Sequence, residues 1–149
     1  MSFNGNFMCT SFKTELLKGI HNFTASSSIF KLALYTDAGV AFDASTTSYR
    51  ATNEASGTNY TAGGNPITTI TPTATGTTAF VDANDVVFTN VTISGIRGAV
   101  FYNNSPTSPG SGTPSVAVLD FGSDKAASAG DFTVVMPTGN ASNAIIRIA

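Results

Sequence analysis

His21 is the only histidine of the chain and Cys9 its only cysteine, so any imidazole or thiol chemistry rests on these two side chains. A Ser/His/Asp triad would have to use His21. No Gly-x-Ser-x-Gly elbow singles out one of the 16 serines as its nucleophile. A zinc site needs three or four nitrogen and sulfur ligands, and one His with one Cys cannot supply them. The simpler expectation is that His21, just past a helix end, meets the free carbonyls there. Cys9 is expected to be a small buried apolar group, and it has no second cysteine to bridge. Carboxylates are the remaining chemistry: Glu15, Glu54 and seven aspartates. Glycoside hydrolysis needs two of them facing across a cleft, and no spacing marks a pair. Asp82, Asn84 and Asp85 could hold a weak Ca²⁺ but lack the loop and bidentate Glu of an EF-hand, so a turn is the preferred reading. Asp120, Asp124 and Lys125 around Gly122 read as an ion pair fixing another turn. Tyr35, Tyr49, Tyr60 and Tyr102 could stack on sugar rings, yet each also fits a strand as core or rim. No phosphate-binding glycine motif is present. The expectation is no catalytic residue, no metal ligand and no cofactor: a protein that is not an enzyme.

The elements that would hold these residues follow from composition. Only 11% of residues are charged, against roughly a quarter in an ordinary soluble domain. Polarity comes instead from 22 Thr, 16 Ser and 12 Asn among short apolar runs. That is the composition of an antiparallel β protein. At 149 residues one domain is expected, burying about two thirds of its unfolded surface. Net charge is −2 and no Lys/Arg cluster exists to neutralise phosphates, so nucleic acid is not an expected partner. Apolar runs are too short to span a bilayer, and Met1–Thr10 lacks the basic and apolar regions of a signal peptide, so no membrane is expected either.

Residues 10–19 predict one short helix, capped by Thr10 or Ser11, with Phe12 and Leu16 on one face and Gly19 as its stop. Lys13, Glu15 and Lys18 should face water. Phe30, Leu32 and Leu34 alternate with Lys31, Ala33 and Tyr35, which predicts a strand with one face in the core. Thr46–Asn53 reads as a weak, Thr-rich strand lying exposed or at an edge. Gly57, Tyr60 and Gly63–Gly64 mark a loop needing positive φ or close backbone approach. Ala79–Val81 and Val86–Phe88 suggest a short hairpin around Asn84. Apolar strands follow through Val91–Tyr102 and Ser115–Phe121, the latter apolar enough to be covered on both faces. Asn103–Pro114 reads as a loop, and Gly122–Gly130 as a turn region before Phe132–Met136. Ala144–Ala149 is expected to pair as a strand. Eight to ten short strands with turns between them favour an antiparallel β-sandwich or jelly-roll-like barrel with one short N-terminal helix. The division expected is an N-terminal arm over 1–9 and a single β domain over 10–149.

Several stretches carry a resemblance. They are FMCTSFKTELLKGIHNF, FKLALYT, TTSYRATNEASGTNYTAGG, VAVLDFGSDKAASAGDFTVVMP and the closing SNAIIRIA. They resemble a widespread set of small virion proteins of tailed bacteriophages. That family shares a Cys-x-Ser-Phe-Lys-x-Glu-Leu-Leu start, a Gly-Tyr-x-Ala-Gly-Gly centre and an Ala-Ile-Ile-Arg-Ile-Ala end. The similarity runs from Cys9 to Ala149, with Asn59 where the family leads one to expect Gly and Ala55 where Val is common. It implies a non-enzymatic structural protein present in many copies, placed in the virion after assembly in the bacterial host cytoplasm.

Low-charge faces rich in Thr, Ser and Ala suit that role, because they desolvate more cheaply than charged ones. The leading expectation is a cement or decoration protein on the major capsid shell, with the major capsid protein or other virion proteins as partners and self-association. The alternatives are a tail, neck or fibre-base subunit, and a receptor- or glycan-binding module using the loops 53–65 and 103–114. Candidate interface residues are Phe3, Phe7 and Met8 of the arm, Asn103, Asn104, Pro106 and Pro109 of the long loop, and Arg147 in the last strand.

Overall fold

The computed structural model describes residues 1–24, 30–68, 71–106 and 112–149. Among the described residues the chain is mostly β, with antiparallel sheets and a single short helix. That helix, α1 (Thr10–Leu17), follows the two-residue strand β1 (Phe7–Met8). Its N-cap is Cys9, and no side chain caps it, so the expected Thr10 or Ser11 cap does not form. Ser11 turns its hydroxyl into a buried position without a partner. Phe12 is buried and Leu16 half-buried, as the spacing predicts, while Leu17 is 90% exposed. Gly19 ends the helix at a φ of 73°, where a residue with a Cβ is disfavoured.

The larger sheet has the order β1-β7-β6-β2-β3, in which β2 is Phe30–Thr36, β3 is Asn65–Pro66, β6 is Val86–Asn103 and β7 is Ser115–Val134. The smaller sheet has the order β4-β5-β8, formed by Thr73–Thr75, Thr78–Val81 and Ile146–Ile148. β2 is more deeply placed than its alternation predicts. Ala33 and Tyr35 are as fully buried as Leu32 and Leu34, because segments outside the sheet cover its second face.

The largest departure from expectation is the ribbon made by β6 and β7. The sequence predicts several short strands with a turn over 122–130. The structure instead has one long antiparallel hairpin, with Val86 opposite Val134 at one end and Tyr102 opposite Ser115 at the other. Its register slips repeatedly between Phe88 and Gly98. Asn90, Gly95, Gly122 and Ala129 take positive φ along this stretch. These are β-bulges, which insert an extra residue into one strand, sharpen the twist and bend the ribbon. The bend brings the rings of Phe121 and Phe132, both in β7, to 6.1 Å. Glycine and Asn signals that would suit a turn therefore serve a corner in a continuous strand.

Three other expectations change. Ala79–Val81 does not pair with Val86–Phe88. β5 pairs instead with β4, through a turn at Gly76, and with β8. Thr46–Asn53 forms no strand, only an isolated bridge from Ser48 to Pro114. The arm over 1–9 is part of the body. Phe3 is fully buried and bridges Phe42, and β1 pairs Phe7 with Val118 and Met8 with Ala117. Apolar residues with no partner in a local element find one far along the chain.

The closing strand forms as expected. Ile146 is buried opposite Val81. Ile146→Ala should lower unfolding free energy by about 2 kcal/mol, the cost of a small cavity at the end of a sheet. Urea denaturation measures this, and an unchanged midpoint would mean β8 adds nothing to the core.

Candidate functional site

Two polar clusters gather most of the groups that could do chemistry. The first surrounds His21, which is 6% exposed. Its ring does not meet the carbonyls at the end of α1. Nε2 lies 2.8 Å from Glu15 Oε2, and Nδ1 lies 3.2 Å from Asn103 Nδ2. Asn103 Oδ1 already accepts the Ser105 N–H at 2.9 Å, which fixes the amide with its NH₂ toward the imidazole. A neutral ring with the proton on Nε2 then satisfies both contacts, donating to the carboxylate and accepting from the amide. A second proton on Nδ1 would face the Asn103 donor. Burial pushes the His21 pKa below its usual 6.5, and the Glu15 carboxylate offsets part of that push. Both ring nitrogens are engaged, so neither is open to a substrate in this arrangement. Cys9 is fully buried, and burial raises its thiol above the usual range, with Ser115 as a hydrogen-bond partner.

This cluster makes stability depend on pH in one direction. Above pH 6.5 the imidazole is neutral in both folded and unfolded chains, and the native contribution is complete. As pH falls below that value, the unfolded chain takes up a proton that the folded chain resists, so stability declines until the lower folded pKa is reached. The urea midpoint should fall between about pH 7.5 and about pH 5.5, and His21→Gln should flatten that fall. Equal slopes in the two proteins would place the titration elsewhere.

The second cluster centres on Glu54, which the sequence offers only as one of nine carboxylates with no marked partner. Its Oε2 accepts the Tyr49 hydroxyl at 2.7 Å. Its Oε1 accepts the Tyr60 hydroxyl at 2.8 Å and the Gly63 N–H at 2.6 Å. Tyr60 Oη in turn accepts the Leu34 N–H of β2 at 3.0 Å. Tyr102 stacks on Tyr49 at 4.8 Å and donates to the Gly63 carbonyl at 2.7 Å. Tyr35 donates to the Arg50 carbonyl at 2.7 Å. All four tyrosines thus hold the loop 49–64 against β2 and β6. Burial is the largest cause raising each of their pKa values, with Tyr49 pushed up to about 12. The glycines of this loop behave as expected. A Cβ on Gly64 would sit 1.9 Å from the Leu32 carbonyl oxygen. Asn59 has a φ of 62°, the left-handed backbone that Asn tolerates better than most residues with a Cβ.

Other charged groups also fasten backbone. Asp82 Oδ1 accepts from Gly139 N at 3.0 Å and Asp85 Oδ1 from Met136 N at 2.7 Å, so this pair ties down the segment after β7. Asp120 pairs with Arg97 at 3.0 Å and accepts the Gly122 N–H, while Lys125 donates to Ser123, so the ion pair expected within 120–125 does not form. Arg50 donates to the Ala41 carbonyl at 2.6 Å and lies 3.8 Å over the Phe42 ring. No group of three or more potential metal ligands occurs among the described residues. No helix among them is long and apolar enough to cross a membrane.

The candidate interface residues separate. Phe3 and Asn103 are buried, so neither is presented to a neighbour by the folded chain. Phe7, Met8 and Pro106 are half-buried, and Asn104 and Arg147 exposed. Arg147 donates to the Ala141 carbonyl at 2.7 Å. Pro109 lies outside the described residues. Apolar surface concentrates elsewhere. A groove of about 130 Å³ between α1 and the small sheet is lined by Leu16, Phe23, Phe80, Ile146 and Ile148, which brings the first and last stretches of the chain together. Two further hollows, of about 450 and 510 Å³, adjoin along the outer edge of β7 and share Phe121, Val134 and Val135. No protein-family model, curated protein or solved structure matches the chain.

Proposed function

We propose that this chain is a non-enzymatic structural subunit of a tailed-phage particle, a cement or decoration protein that binds the assembled capsid shell. The reading rests on the resemblance of its opening, central and closing motifs to small virion proteins. One structural observation supports it above the rest. The side chains best suited to chemistry (His21, Cys9, Glu54 and the four tyrosines) fasten the fold internally, while the exterior carries few charges and several apolar hollows. Such a surface suits repeated contact with identical neighbours. A subunit that binds only the assembled shell stabilises it by mass action, with no reaction needed. Its partners are then the major capsid protein and further copies of itself.

The experiment compares particles with and without the chain. Particles lacking it should release their DNA at a lower temperature, and addition of the purified protein should restore the higher one. Identical release temperatures would contradict a cementing role.

A further inference from the structure

We propose that the groove along the outer edge of β7 is a docking surface for a second copy of this chain, related to the first by a two-fold axis. β1 and the residues flanking it cover that edge from Val116, which accepts the Cys9 N–H, to Asp120, whose N–H donates to Asn6, and among the described residues no strand pairs with it beyond. The ribbon bend then opens two adjoining hollows floored by Phe121 and Val134. Val135 stands 74% exposed at their junction. An apolar knob beside an apolar hollow is self-complementary: a two-fold places the knob of each copy against the hollow of the other.

Charge selects the same occupant. Lys125 and Asp131 both line the groove and both are exposed. Lys125 uses one of its donors on Ser123, and Asp131 uses Oδ1 on the Asn90 N–H. Each keeps hydrogen-bonding capacity for a partner. A cation and an anion lining one groove favour neither an acidic nor a basic partner. A two-fold axis passing between them sets each Lys125 opposite the other copy's Asp131 and pairs both charges at once. The inference rests on the reading of the chain as an assembly subunit, but its test needs no particle. Failure of self-association leaves shell binding open, and failure of shell binding leaves self-association standing.

The test is sedimentation velocity of the purified chain up to about 100 µM, with folding of every variant checked by circular dichroism. The native chain should sediment as a dimer. Val135→Asp should sediment as a monomer, because it puts a carboxylate into the apolar contact. Lys125→Asp and Asp131→Lys should each be monomeric through like-charge repulsion. An equal mixture of those two variants should regain the dimer, since each then offers the charge that the other lacks. A monomeric native chain, a dimer untouched by these substitutions, or a mixture that stays monomeric would overturn the proposal.

Discussion

Phe3→Ala should lower the unfolding free energy by about 4 kcal/mol, among the largest effects of any single substitution in this chain. The ring is fully buried and stacks on Phe42 at 4.6 Å with an interplanar angle of 12°. Phe42 also meets Tyr35 at 4.5 Å and carries the Arg50 guanidinium at 3.8 Å. Phe3 further presses on the backbone at Gly98, where an added Cβ would lie 2.5 Å from the ring. Removing the ring empties a space that this rigid backbone cannot close, so a cavity cost adds to the lost burial. Ser2 beside it donates to Asp37 and accepts the Gly39 N–H at 2.9 Å, which anchors the segment from both sides. Phe7→Ala is the control. Phe7 is half-buried on the outer strand β1, and its loss should cost about 1 kcal/mol. Urea unfolding of the two variants measures the difference. A Phe3 variant as stable as the Phe7 variant would mean that the first residues hang free.

Glu54→Ala should cost a similar amount, about 4 kcal/mol. The carboxylate accepts three hydrogen bonds, and its removal leaves the Tyr49 and Tyr60 hydroxyl protons and the Gly63 N–H without an acceptor in a half-buried site. Bonds to an ionised acceptor are the stronger kind, and donors stranded away from water cost more than the bonds return. Glu54→Gln keeps one carbonyl oxygen, and it should lose about half as much. Tyr60→Phe should lose about 1–2 kcal/mol, because the hydroxyl bridges Glu54 and the Leu34 N–H. The ordering Ala, then Gln, then Phe is read from urea midpoints. A Glu54→Ala protein with native stability would show that the loop 49–64 is held by its stacked rings alone.

Local patterns in the sequence were enough for α1, whose Phe12–Leu16 spacing marks its buried face, and for β2, whose alternation runs unbroken from Phe30. They were not enough for the β6–β7 ribbon. A residue with positive φ serves a turn and a bulge equally well, so Gly95, Gly122 and the Ala/Ser-rich stretch between Gly122 and Gly130 carry no sign of which is meant. The decision belongs to the partner strand, which no local window contains. Phe3 fails to show its role for the same reason, since its partner Phe42 lies far along the chain. Glu54 was hidden differently. One carboxylate in a loop has no distinctive spacing, and only the fold brings Tyr49, Tyr60 and Gly63 to it. His21 was visible as a lone histidine near a helix end. The Asn103 amide that turns it inward comes from the far end of β6.

The domain fastens itself internally with several of its ionisable and phenolic groups and carries few charges on its exterior, and the proposed role gives that exterior to contact with a capsid shell. Quantitative mass spectrometry of purified particles, counting this chain against the major capsid protein, bears on that account most directly. A shell-cementing role predicts hundreds of copies per particle. Its absence from purified particles, with the chain recovered only as a free molecule in infected cells, would contradict the account.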